Sequence, residues 1–308
     1  MTRRESLTRM AAAVAVACAP KLCRAVEEIH PLRLAISVDT LAGANVNDAR
    51  AAYMVWLRQV SSHYGIQSAV LVPEVFVPSE VLIRYVRQNL IDAYGITALE
   101  LAKLVEWTDP DSLILQDYLI DGMEYVLLVH GNSHINAIAD LRNGRIVSHL
   151  HRDMVLSPVW LGTLLAANNL PQPDHFFAEQ MLNDKVNQVV LPVFFRRADA
   201  ACLARRDWEM AVELNPQLGR DLHALAVSPK LIPIAMGFRR STSADARKAL
   251  IESIQKISSF TAGQQIVALY QSRAFAVRPI AAMKTTLDLV HQYERVSAQQ
   301  PAARKGQL

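Results

Sequence analysis

Cysteine is nearly absent from this chain: there are three in 308 residues, Cys18, Cys23 and Cys202. Two of these lie within the first 23 residues, so the body carries one thiol. A single thiol forms neither an internal disulfide nor a cysteine metal cage, and the fold must hold by its apolar core. Long apolar runs are missing too. No stretch beyond the N-terminus approaches the ~20 residues that a membrane-spanning helix needs. An excess of basic charge is also lacking, although the totals of 32 Lys and Arg against 29 Asp and Glu suggest one. Residues 1–25 hold five of the basic residues and one acid, leaving 27 basic against 28 acidic in the body. A net charge near −1 leaves no electrostatic footprint for nucleic acid. No Gly-x-Ser-x-Gly elbow, Walker-type phosphate loop, internal repeat or low-complexity linker occurs.

The first 25 residues carry the pattern of an export signal. Arg3 and Arg4 precede a small apolar run from Met10 to Ala19, and Cys23-Arg24-Ala25 supplies small residues before a cut. The paired arginines ahead of an Ala-rich segment are like a twin-arginine signal. An amphipathic N-terminal helix and a lipidated Cys18 are the alternative readings. Ala11 to Ala17 has no polar face, which favours export.

The body alternates β-like and helical runs, as an α/β protein with largely parallel sheets does. Strands are expected at Leu32–Val38, Ala69–Val72, Ser112–Leu115, Glu124–His130, Arg145–His149, Ala198–Leu203, Leu222–Val227 and Ile232–Phe238, with a short buried run at Leu90–Ile96. A helix capped by Asn47 or Asp48 runs to Tyr64 and stops at Gly65. Others start at Pro78-Ser79, at the Thr97–Glu100 capping box, at Ser157-Pro158, near Asp184 and at Asp207. Three more close the chain: Ser243–Ser258, Thr261–Gln271 and Pro279–Val296.

The order of certain segments is informative. Asp92-Ala-Tyr-Gly-Ile-Thr97 is like an Asp-x-Ala-Trp-x-Gly-Pro element. Asp140-Leu-Arg-Asn-Gly-Arg145, Ala198-Asp199-Ala200 and Glu213–Leu218 with Leu225–Pro229 follow in matching order. From Leu32 to Ala282 the chain resembles a type II periplasmic solute-binding protein of the phosphate, phosphite and phosphonate-binding family. The resemblance implies two lobes, each a mostly parallel sheet flanked by helices, joined by two crossover strands near Asp117–Val126 and Ala226–Gly237. Lobe I would comprise 26–122 and 230–296, lobe II 123–229, and 297–308 a flexible tail. One element departs from the family. Where phosphonate binders carry Ser-Thr-Ser-Gly, this chain has His151-Arg-Asp-Met-Val-Leu-Ser157, without the hydroxyl cluster that grips a tetrahedral oxyanion.

In such a fold the ligand sits at strand carboxyl ends and helix amino ends, where free N–H groups favour an anion. The expected contacts are Asp39 and Thr40 after the first strand, and Tyr94 and Thr97 in the second segment. Arg152, Asp153 and Ser157 follow in the third, with Asp199 and Arg205 in the fourth. Several have a plainer role open to them: Thr97 as a cap, Arg152 paired with Asp153 in solvent, and Asp199, which could otherwise accept from a protonated ligand or pin Arg205, in a structural turn or salt bridge. His149 and His151 share a strand face, but no distant partner completes a zinc site. No metal or cofactor is expected. The resemblance implies a monomeric periplasmic protein that closes on a small anion and passes it to an ABC-transporter permease. A sensing partner of a membrane histidine kinase, or an enzyme on the same scaffold, are the other readings.

Overall fold

The computed structural model describes residues 32–41, 45–64, 70–259 and 261–299. The export leader, part of the Asp39–Asn45 loop, Gly65, Ala69 and the tail from residue 300 lie outside the described residues. Eleven strands among the described residues form two sheets. The first contains β1 (Arg33–Ser37), β2 (Val70–Val77), β3 (Ala93–Thr97), β4 (Leu113–Gln116), β10 (Ile234–Phe238) and β11 (Phe275–Arg278), in the order β11-β4-β10-β3-β1-β2. The second contains β5 (Tyr125–His130), β6 (Arg145–His149), β7 (Glu179–Asn183), β8 (Ala200–Ala204) and β9 (Leu222–Val227), in the order β7-β6-β8-β5-β9.

The expectation of two mostly parallel sheets flanked by helices holds in strand direction. β1 to β4 run one way and β6 to β9 run one way. Pairing is more mixed, because β10 is inserted antiparallel between β3 and β4, and β5 between β8 and β9. These inserted strands are the ones entered from the other sheet. β5, buried along its whole length, follows the first crossover, and β10 follows the second.

The two connections lie side by side. Met123 and Leu231 exchange both backbone hydrogen bonds at 2.8 Å. Ser228 donates its N–H to the Tyr125 carbonyl, and its Oγ accepts from Tyr125 N–H at 2.8 Å. Gly122 turns the first connection with φ +73°, and a Cβ there would stand 3.0 Å from the Lys230 backbone. That left-handed conformation and close approach suit glycine.

Local chemistry accounts for the helix starts. Asn45, rather than the expected Asn47 or Asp48, caps the Val46–Tyr64 helix, its Oδ1 accepting from Asn47 N–H at 2.8 Å. Both residues sit one turn too far in, where their own N–H groups need the cap. Thr97 and Glu100 form the reciprocal capping box, with Thr97 N–H donating to Glu100 Oε2 at 2.7 Å. The last helix, Lys284–Gln299, packs against Ala98–Ala102 beside the first sheet and Ser157–Ala167 beside the second. One apolar cluster accordingly runs from Leu82 and Val86 through Tyr125 and Leu127 to Trp160.

Candidate functional site

Alternation along β3 decides what lies at the end of the first sheet. Tyr94 and Ile96 point to one face, Ala93 and Gly95 to the other. Gly95 pairs with Ile36 of β1 on one side and Met236 of β10 on the other, and the Ile36 side chain lies across it, 3.0 Å from where a Cβ would stand. Helices Val46–Tyr64, Ala244–Gln255 and Thr261–Leu269 cover this face. The result is a cavity of about 60 Å³ walled largely by Ile36, Ile114, Ile254, Ile257, Ile266 and Phe275.

Polar groups enter this cavity at few points. Thr40, Tyr53, Trp56, Gln116 and Tyr270 contribute to its wall. The Tyr53 and Tyr270 hydroxyls bond each other at 2.9 Å, and burial pushes both phenols above their ordinary range. Thr40 donates to the Ser37 carbonyl at 2.8 Å. Tyr53 meets Trp56, Phe76 and Tyr270 edge-on, with ring centroids 5.9, 5.4 and 6.3 Å away. Trp56 Nε1 and Gln116 Oε1 are buried without a hydrogen-bond partner among the described residues.

The second sheet meets this edge through an ionic knot built at the carboxyl ends of β6 and β8. Arg152 donates to the Tyr270 carbonyl, and its guanidinium lies 5.4 Å from the centre of the Tyr270 ring. Asp153, with no exposed surface, accepts from Arg206 at 2.5 Å and from the Tyr118 hydroxyl at 3.1 Å. Its other neighbours are Arg152 Nε and His151 Nδ1, both at 3.6 Å, and its carbonyl accepts from Tyr125 at 2.5 Å. Arg206 stacks 4.4 Å over Tyr118, whose phenol burial and the Asp153 charge push up to about 12. Asp207 completes the knot, 3.3 Å from His149 Nδ1 and 3.6 Å from Arg206 Nε. Burial raises its pKa, but the His149 bond and the Arg206 charge outweigh that and hold it low. Burial lowers the pKa of His151, against the pull of Asp153. Its Nδ1 accepts from Asp153 N–H at 3.3 Å, a bond that only an unprotonated Nδ1 can make. The rings of His149 and His151 stack with centroids 5.4 Å apart. Among the described residues no group of three or more His, Cys, Asp or Glu is placed to hold a metal.

The expected site residues divide accordingly. Thr40 is at the cavity, and Arg152 and Asp153 are in the knot beside it. These two do pair, but the pair is buried and not in solvent, where the plainer alternative puts it. Ser157 is buried at the head of its helix. Asp39 is exposed. Tyr94 points to the opposite sheet face, where its hydroxyl bonds Thr108 Oγ1 at 2.8 Å. Thr97 serves as a cap. Asp199 precedes β8, at the opposite strand end from the knot, and accepts from Arg145 N–H at 2.7 Å. Arg205 pairs with Glu124 at 2.7 Å. The residues that sequence reasoning missed are Tyr53, Trp56, Gln116, Tyr118, Arg206 and Tyr270.

Two α/β sheets joined by paired crossovers, with polar groups from both gathered at their strand ends, define a two-lobed solute-binding protein of type II topology. The chain belongs to the family described as ABC transporter, phosphonate, periplasmic substrate-binding protein, whose family model matches residues 49–278. That family consists of the substrate-binding proteins of transporters, not enzymes. A binding-protein component of a phosphonate transporter from Pseudomonas aeruginosa superposes with TM-score 0.54 at 14% identity, over 89% of this chain and 91% of that one. PhnD1 of Prochlorococcus marinus, solved with methylphosphonate, gives 0.57 at 13%, over 87% and 99%. A Xanthomonas citri protein solved with ATP gives 0.58 at 14%, over 87% and 98%. At these identities the likeness concerns the fold. No curated protein sequence matches the chain. No helix among the described residues is long and apolar enough to cross a membrane.

Proposed function

We propose that this protein is exported by its leader, captures a small organic anion between lobes I (26–122 and 230–296) and II (123–229), and delivers it to an ABC-transporter permease. The observation that carries this reading is the placement of Arg152. It comes from the second sheet and reaches Tyr270 at the wall of the first sheet's cavity. A solute seated there touches both halves only when they are together, so binding favours the closed form. Family membership supports the periplasmic role, and the Arg-Arg and apolar leader pattern supports export. Hand-over to a permease and action as a monomer are parts of the same reading, the latter checked by light scattering of chain 26–308.

Among the expected contacts, Thr40 and Arg152 are the ones we retain for the ligand. Asp153 holds Arg152 and Arg206 in place, and Ser157 opens the helix behind them. Calorimetric titration of chain 26–308 with phosphate, methylphosphonate and short-chain carboxylates tests this. At least one anion is expected to bind, and Arg152→Gln to weaken it about tenfold, the scale of one charge-assisted bond. Absence of heat and of thermal stabilisation with every anion would overturn it.

A further inference from the structure

We propose that the first-sheet cavity takes the carbon body of the solute: a small, mostly hydrocarbon molecule with a hydrogen-bond acceptor for Trp56 and a donor for Gln116. An inorganic or one-carbon oxyanion does not fit that description. This deepens the capture reading above and rests on it.

Three observations converge. The wall is chiefly isoleucine and aromatic carbon, and a fully hydrated oxyanion gains nothing from such surfaces. The Trp56 indole N–H and the Gln116 Oε1 both border the cavity, in residues 2% and 5% exposed, and neither has a partner among the described residues. Buried polar atoms are rarely left so, because each has lost its water without replacement. The space of about 60 Å³ is several times what one water needs, ~10–15 Å³. Gly95 lines it beside Ile36 and Met236, with Ile36 packed over the glycine.

The cavity borders the charged edge through Tyr270. Thr40 and Tyr270 form part of its wall, and Arg152 lies over the Tyr270 ring. In this proposal a head group reaching Arg152 and a branched carbon body in the cavity belong to one ligand.

The experiment titrates chain 26–308 with acetate, isobutyrate and isovalerate, with uncharged isovaleramide, and with methylphosphonate and phosphate. Affinity is expected to rise about fourfold with each added carbon, the factor that one buried methylene supplies. Isovaleramide, which carries both an acceptor and a donor, should bind as well. Trp56→Phe keeps the ring and should weaken isovaleramide about fivefold or more without a large change in melting temperature. Gly95→Val displaces the Ile36 side chain, which stands 3.0 Å from the new Cβ, into the cavity and should abolish binding of isovalerate and isovaleramide alike.

Binding of isovaleramide without any acid would support the cavity assignment while removing the anion reading. Equal binding of methylphosphonate and isovalerate, unaffected by Gly95→Val, would overturn the cavity assignment and leave anion capture standing. No binding across the carbon series, or crystals soaked in isovaleramide that show only water in the cavity, would also overturn it.

Discussion

Asp153 is the residue on which the ionic knot turns. Without exposed surface, it faces Arg206, Arg152, His151 and Tyr118 at once. Replacing it with Asn leaves two guanidinium groups beside a neutral amide, and losing one partner of a buried pair costs about 3–5 kcal/mol. Asp153→Asn should therefore lower the denaturation midpoint strongly in urea, whereas Asp199→Asn, at the half-exposed edge, should shift it little. An equal effect of the two would remove the knot from the account.

His151 supplies a pH dependence of defined sign. Its folded pKa is depressed below the ordinary 6.5 by burial, so the unfolded chain takes up the proton first as pH falls. Stability is fully present above about 6.5 and is lost as pH drops below it. Asp207, held low beside His149 and Arg206, acts in the same direction at more acid pH, below about 4. The melting temperature of chain 26–308 should fall between pH 7 and 5, and His151→Asn should flatten that slope. A slope unchanged in the variant would contradict the assignment.

Several of these residue roles were readable and several were not. The Thr97–Glu100 box is a local signal and appears as expected. Tyr94 and Gly95 could have been assigned to opposite sheet faces by strand alternation alone. The knot could not. Arg206 meets Asp153, and Arg152 meets Tyr270, across separations of 53 and 118 residues, so nothing in local spacing distinguishes Arg206 from Arg205.

At the scale of elements, the buried strands were the legible ones. Two strands escaped for different reasons. β7, Glu-Gln-Met-Leu-Asn, is an edge strand whose Leu182 is 65% exposed, so it shows no apolar alternation. β11, Phe-Ala-Val-Arg, is four half-buried residues between helices and is shaped by pairing with β4. Helix contacts make their own test. A Cβ at Gly162 would lie 2.5 Å from the Tyr293 ring, which is how the last helix comes so near the Ser157–Ala167 helix. Gly162→Ala should destabilise by about 1–3 kcal/mol through overpacking, and adding Tyr293→Leu should recover part of that. Additive losses in the double variant would show that the two residues do not meet.

At the scale of the whole molecule, the proposed function asks two sheets joined by paired crossovers to close on a solute. The charges between the sheets largely cancel, Arg152 and Arg206 facing Asp153 and Asp207. Closure around a guest then depends on the guest filling the apolar cavity as much as on attraction between the halves. The crossover turn should be sensitive as well: Gly122→Ala forces an L-residue into φ +73° against the Lys230 backbone and should cost about 1 kcal/mol or more.

The most direct test of closure is a distance between the halves. Spin labels at Arg84→Cys and Leu214→Cys, both exposed and on helices that flank different sheets, leave the buried Cys202 unmodified. Pulsed electron paramagnetic resonance should give a broad or long distribution without solute. A single shorter distance should replace it on saturation with the tightest-binding member of the carboxylate series. One narrow distance, the same with and without that solute, would contradict the account.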